Sequence, residues 1–249
     1  MIFFRFPFSE TIYTVEETSF SEAVSFLSFD QSEKIDFKGM LKAISGAEFL
    51  NQEVFHDILN TELLDFKEET AREYQEKLLN VIHFIKENQL SKLVISRRKM
   101  VQFNDSKLSL SQTFLNLCET YKNAFVYFFI KDGKCWLGAF SELLGKFNKE
   151  TSEFTTMSLA GTIPMDENWT NKEIEEQKPV TTFIKNILLK YADEVEKSET
   201  YDHVSGNIKH LRNDFSVKIS ENDLEKIIAE LHPTPAVCGI PKEICSNAI

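Results

Sequence analysis

Cysteine, glycine and proline are all scarce in this chain: 249 residues hold 4 Cys, 8 Gly and 6 Pro. No Cys-x-x-Cys pair occurs and no Cys/His cluster has zinc-ligand spacing, which argues against a zinc module or a disulfide scaffold. Cys118, Cys135, Cys238 and Cys245 read as reduced thiols of a cytoplasmic protein. Long apolar runs are missing as well, and no stretch approaches the length of a membrane span. The opening "MIFFRFPFSE" is broken by Arg5 and Pro7 and is too short for a signal peptide. Positive charge is in deficit: 28 Lys and Arg face 39 Asp and Glu, a formal net charge of −11. Nucleic acid and anionic membranes should repel such a chain, which leaves room for a locally basic pocket for an anionic metabolite. With no repeat, low-complexity tract or evident linker, residues 1–249 read as a single domain, long enough for a sizeable core.

Phenylalanine, by contrast, is abundant: 22 residues against 6 Tyr and 2 Trp. This points to an aromatic-rich core. Short aromatic runs near the N-terminus, "IFFRFPF" and "AVSFLSF", read as strands. Residues 67–90 place Tyr74, Leu78, Val81, Ile82 and Ile85 on one stripe of an amphipathic helix. "KLVISRRKMVQF" (92–103) reads as a strand and "LSLSQTFLNLCETY" as a second helix. "AFVYFFIKDGKCWLGAF" reads as a hairpin turning at Asp132-Gly133, and "LLGKFN" with "EFTTMSLAG" as a further pair. Thr170 and Glu173 form a capping box for a long helix, which Pro179 should kink or split. In "SENDLEKIIAELHP" Ser220 caps, Asp223 answers, Leu224, Ile227, Ile228 and Leu231 form a buried stripe, and Pro233 ends the helix. Without strict βαβ alternation, the expected class is α+β with antiparallel sheet.

Several residues could carry chemistry. Lys92 opens an apolar strand; partial desolvation there would make a neutral amine available as a base, although a lysine at a strand end can also snorkel to water. Glu142 follows a strand among apolar neighbours, where a carboxyl could act as a general acid; a solvated turn glutamate is the plainer alternative. In "LAGT" (159–162), Gly161 would let a ligand approach the backbone, as would an ordinary strand-end turn. Glu173 and Glu176 share a helical face and suit a hard cation such as Mg²⁺, or simply a solvated helix start. His210 could orient a substrate. His56, His83 and His203 have no partner pattern.

The order of these motifs is far more specific than any one of them. "KLVISR", "LGAFSELL", "SLAGTIP", "KEIEEQKPVTTFI", the "HL" at 210–211 and "LHPTPAVCGIP" together resemble the chorismate-binding enzymes. That family includes isochorismate, salicylate, anthranilate and aminodeoxychorismate synthases. The resemblance covers roughly residues 70–245, with a weaker likeness before them. It implies an anthranilate synthase component I-like fold of mixed, mostly antiparallel sheets flanked by helices. By position, Lys92 matches the lysine that activates water in the water-using branch, where the ammonia-using synthases usually carry glutamine. Ala160 stands where aminodeoxychorismate synthases place a lysine nucleophile.

The resemblance is therefore greatest to isochorismate synthase, with salicylate synthase or a non-catalytic binding protein of the same fold as alternatives. It implies Lys92 as general base and Glu142 as general acid for the departing C4 hydroxyl. Glu176 would be the Mg²⁺ ligand, with Ala160, Gly161, Thr162 and His210 around the chorismate ring. Such roles require Lys92 neutral and Glu142 protonated in the productive state. The departures are Ser141 for the usual proline of "SPELL", Gln177 for the histidine of "EH", and Pro179. The product would feed menaquinone or siderophore synthesis, which the residues do not separate. In the family, "HPTPAVCG" leads into a C-terminal segment that carries further strands, carboxylate-binding groups and metal-binding glutamates. The resemblance thus implies a domain that lacks that segment, is cut within a helix that Pro241 opens at its first position, is inactive alone, and is monomeric when complete.

Overall fold

The computed structural model describes residues 1–51, 68–101 and 109–249, and the side chains of all of these except 19–23. His56 and the ends of three expected elements (residues 67, 102–103 and 108) lie outside the described residues. The chain forms two compact units, one of residues 1–66 with 101–141, the other of 67–100 with 142–249.

In the first unit, strands β1 (Ile2–Arg5), β2 (Ile12–Leu27) and β3 (Lys34–Ile44) precede the short helix α1 (Gly46–Leu50). The second unit opens with α2 (Ala71–Glu87) and β4 (Lys92–Leu93); the chain then returns to the first unit for α3 (Leu110–Thr120), β5 (Phe125–Lys131) and β6 (Lys134–Phe140). The first unit's five strands form one antiparallel sheet in the order β3-β2-β1-β5-β6. Alternation sorts its side chains between two faces. Phe3, Val126 and Phe128 pack with Phe49 of α1 and Phe114 of α3. Ile2, Phe4 and Phe129 gather with Phe37 and a half-buried fringe of Tyr13, Phe26, Phe125 and Tyr127. The expected aromatic core is here. The expected hairpin is also here: Asp132 and Gly133 both have positive φ, as a two-residue β5–β6 turn requires. The buried Arg5 guanidinium serves backbone carbonyls of Phe6, Ser9, Tyr121, Lys122 and Ala124, and so ties the chain after β1 to the α3–β5 connection.

The second unit continues with β7 (Lys146–Asn148), β8 (Glu153–Pro164), α4 (Asn171–Leu188), β9 (Glu196–Lys197), β10 (Tyr201–Ser205) and β11 (Ile208–Lys218). A 3₁₀ turn at Glu221–Asp223, α5 (Leu224–Leu231), β12 (Gly239–Ile240) and α6 (Lys242–Ala248) complete it. Strands run in the order β10-β11-β8-β7, with β9 also on β11, all antiparallel. Helix α4 lays Val180, Ile184, Ile187 and Leu188 on this sheet, against Phe154, Phe215 and Val217 and beside Ile227 and Leu231 of α5.

Four expectations change. Helix α4 runs unbroken through Pro179; the carbonyl deprived of its donor belongs to Glu175, on the exposed side. The strand expected over 92–103 is only Lys92–Leu93, paired with β12. Val94 adds one bond to the Cys238 carbonyl, and beyond it residues 95–101 adopt no regular structure, because strand propensity forms no ladder without a neighbour. Pro241 is the N-cap of α6 rather than its first residue. Ser220 caps the 3₁₀ turn ahead of α5, through the Asn222 amide. Among the described residues, no helix is long and apolar enough to cross a membrane.

Candidate active site

The second unit holds a cavity of about 280 Å³ lined by Glu142, Gly161, Thr162, Glu176 and His210, with Ala160 at the junction of cavity and core. These residues come from the chain after β6, from β8, from α4 and from β11, so only the tertiary fold brings them together.

The floor is a strand pair with one irregularity. Along β8 and β11, Thr162 pairs with His210 and Ala160 with Leu211, leaving Gly161 as the extra residue of a bulge. Gly161 has φ +70°, the left-handed region that favours glycine. A Cβ there would lie 3.1 Å from both Cβ and the carbonyl oxygen of Glu173, so the small residue also lets α4 approach the strand. The bulge leaves the Thr162 hydroxyl 2.9 Å from Nδ1 of His210, which is buried. His203 faces His210 across β10–β11; burial and then the nearby Arg212 push its pKa down, favouring the neutral ring.

Helix α4 sets the carboxylates. Its capping box holds: the Thr170 hydroxyl is bonded to the Glu173 carboxylate, which also accepts from the Thr170 amide at 3.2 Å and from Lys172 Nζ at 3.2 Å. These bonds, the Thr170 hydroxyl first, hold the Glu173 carboxyl down at about 2. Glu173 is thereby committed to the helix end, and of the two glutamates only Glu176 reaches the cavity.

Gln177 fixes the rotation of α4 from below. Its buried amide nitrogen donates to the Ser158 carbonyl (3.2 Å), the Ser158 hydroxyl (3.0 Å) and Asn213 Oδ1 (3.2 Å). The position where the family places histidine is thus a strap between helix and sheet.

Lys92 is joined to the site through Glu176. Its Nζ lies 3.0 Å from Glu176 Oε1, with the two side chains 13% and 32% exposed. The lysine nitrogen is thus engaged by a carboxylate rather than left in the apolar surroundings expected at the strand end. Glu142 lines the cavity but is exposed, without the apolar enclosure expected of it.

As donors for a hard cation the cavity offers two carboxylates, Glu142 and Glu176. Among the described residues, no group of three or more His, Cys, Asp or Glu side chains could hold a metal. The Glu176 carboxylate is compatible with Mg²⁺, which takes one or two protein carboxylates and fills its octahedron from water and substrate.

His232 and Thr234 also line the cavity, and neither was singled out from the sequence. Both belong to "HPTPAVCG", so the motif was visible although the direction of its side chains was not. Lys242 supports that segment: its ammonium donates to the carbonyls of Ala229, Glu230 and His232 at the end of α5, where helical donors have run out.

Comparison with known proteins bears on the family and the fold. A family described as "Chorismate binding enzyme" matches residues 27–249, reaching further toward the N-terminus than the motifs indicate. Isochorismate synthase MenF of Bacillus subtilis (strain 168) is 26% identical over 179 residues, which is 66% of this chain and 37% of that protein. A structure described as a 2,3-dihydroxybenzoate-specific isochorismate synthase, DhbC from Bacillus anthracis, superposes with TM-score 0.71 at 18% identity. It covers 100% of this chain and 76% of that one. The menaquinone-specific isochorismate synthase MenF from Escherichia coli gives TM-score 0.66 at 14% identity, over 99% of this chain and 71% of that one. Anthranilate synthase component I from Streptococcus pneumoniae TIGR4 gives 0.53 at 16% identity, over 72% and 42%. The likeness spans 37% of the curated relative and about three quarters of the two isochorismate synthase structures. The fold is the mixed, mostly antiparallel α+β fold of these enzymes, and the chain belongs to the chorismate-binding enzyme family.

Proposed function

We propose that the cavity serves an isochorismate synthase reaction, the conversion of chorismate to isochorismate. One observation carries this reading: Glu142, Gly161, Thr162, Glu176 and His210, drawn from separate elements, line a single cavity, and Lys92 is bonded to its edge.

Water adds to C2 of the ring, and Lys92, as the free amine, takes its proton. The ring double bonds shift, the C4–oxygen bond breaks, and the Glu142 carboxyl gives its proton to the departing hydroxyl. One hydroxyl is gained and one lost, so the product is an isomer. Exchange with solvent then resets the lysine as an amine and the glutamate as an acid. Gly161 would present its backbone to the ring, while the room left by its missing Cβ is taken by α4. The Thr162–His210 pair offers a polar edge whose direction is fixed by its own hydrogen bond. Glu176 would hold Mg²⁺, which when bound supplies a fixed positive charge for a substrate carboxylate. The support is this juxtaposition together with the likeness to isochorismate synthases.

The test is incubation of the chain, alone and supplemented with the C-terminal segment of an isochorismate synthase, with chorismate and Mg²⁺ in ¹⁸O-labelled water. Isochorismate carrying one ¹⁸O at C2 is the expected product. Salicylate with pyruvate would replace this reading with salicylate synthase. Calorimetric binding of chorismate without turnover would replace it with a binding protein, and neither binding nor turnover would overturn it.

A further inference from the structure

The Lys92–Glu176 pair deserves a role of its own, because the reaction requires its two members in states that the pair opposes. We propose that Lys92 is a built-in cation at Glu176, and that a divalent metal binds this chain by displacing the Lys92 ammonium from the carboxylate. The proposal rests on the reading above in taking Glu176 as the metal donor.

Both partners are delivered by constrained backbone. Lys92 lies in β4, its carbonyl accepting from the Cys245 thiol at 3.4 Å. On β12, Gly239 approaches so closely that a Cβ there would lie 2.3 Å from the Lys92 carbonyl oxygen. Glu176 lies on the helix that Gln177 straps to β8 and β11. Both backbones are held by these contacts, so we place the opening of the pair in rotation of the long lysine side chain.

The pairing is also exclusive: among the described residues Lys92 forms no other ion pair, and neither does Glu176. Glu176 therefore has one compensating charge at a time, either the ammonium or a metal. A hard cation needs the carboxylate oxygen at about 2.0–2.1 Å. The ammonium now sits 3.0 Å from that oxygen, and an added double positive charge would repel it. Linkage makes the coupling reciprocal: whatever the pair contributes is subtracted from the metal's affinity, and the metal loosens the pair by the same factor. For a partly exposed pair the factor is roughly 1.5- to fivefold. The displacement also uncovers the amine, so cation loading and release of Lys92 are one event.

Mn²⁺, visible by electron paramagnetic resonance, is titrated into the 249-residue chain at fixed ionic strength without chorismate. Lys92→Gln should bind Mn²⁺ roughly 1.5- to fivefold more tightly than the unaltered chain. Lys92→Arg, which keeps the charge, should stay near the unaltered value, and Glu176→Gln should lose the site. Equal or weaker binding by Lys92→Gln overturns the proposal, as does the absence of Mn²⁺ binding in both chains. Should Lys92→Gln fail to fold by circular dichroism, the unaltered chain decides. Acetylation of Lys92 by an amine-reactive ester, followed by peptide mass spectrometry, should quicken when Mg²⁺ is added while exposed Lys146 keeps its rate; an unchanged Lys92 rate overturns the proposal. None of these readouts uses chorismate turnover, so loss of the isochorismate reading would be recognised separately.

Discussion

The two units are built from different materials. The first is packed with aromatic rings: Phe49 is fully buried, its ring 4.9 Å from those of Phe3 and Phe114. Among the described residues its buried polar residues are Arg5 and Ser111, and Arg5 donates to a set of backbone carbonyls. The second has a largely aliphatic core and buries Thr156, Ser158, Glu173, Gln177, His210 and Asn213 as well.

Cavity size does not follow chemistry. The first unit has an opening of about 720 Å³ lined by Phe26, Tyr127, Phe129 and Trp136, whose charged groups Glu33 and Lys134 pair with each other at 3.0 Å. The second unit's cavity of about 280 Å³ gathers two carboxylates and a buried histidine. Burying a polar group is costly unless it is bonded, so a unit that invests in a strapped helix and a bulged strand can aim side chains. A unit sealed by rings gains stability and aims little.

Substitutions should separate these two kinds of residue. The largest effect is on chemistry. Lys92→Ala and Glu142→Ala should each lower isochorismate formation at least about a hundredfold, in a preparation that turns over chorismate, while shifting stability by less than about 1 kcal/mol. Steady-state kinetics beside thermal melts would check this; a large loss of stability would place either residue with the structural set. Next, Phe49→Ala should cost about 3 to 5 kcal/mol by denaturant unfolding, with Mn²⁺ affinity unchanged in the fraction that stays folded.

Gly161→Ala joins the two classes. The positive φ and the 3.1 Å contact with Glu173 should cost about 1 to 2 kcal/mol, and the displaced end of α4 should weaken chorismate binding in the same variant. Stability loss with normal binding would show that the glycine serves the strand alone.

The smallest effect is at the helix cap. Thr170→Ala should cost about 1 kcal/mol. Glu173 has its carboxyl depressed from the usual 4.5 to about 2. It therefore stabilises the fold above pH 4.5, and this contribution is lost as pH falls from 4.5 toward 2. Acid titration followed by circular dichroism should show a shallower loss over that window in Thr170→Ala than in the unaltered chain.

Much of this architecture was legible because local rules agree with it. Thr170 and Glu173 announced a helix start, Asp132-Gly133 announced a hairpin, and the apolar stripe of 71–87 announced a helix. What was missed has non-local causes. Strand β11 was not read, because Asn213 occupies an inward position and is tolerated only through bonds to Gln177, Thr200 and Ser198 from elsewhere in the fold. The sequence after Lys92 predicts a longer strand than forms, because a ladder needs a partner that one segment cannot announce. Pro179 was expected to break α4, but the deprived carbonyl lies on the exposed side.

By itself the sequence determined the family, through the order of its motifs, and the helix ends and tight turn, through bonds between residues two to four positions apart. The tertiary structure decided which of two helix-face glutamates is free to act. It turned Gln177 into a strap and left Gly161 as the unpaired residue of a bulge. It also set Lys92 against Glu176. Those outcomes depend on which oxygen lies within hydrogen-bonding distance of which nitrogen, and partners so distant along the chain meet only when the sheet and α4 have packed.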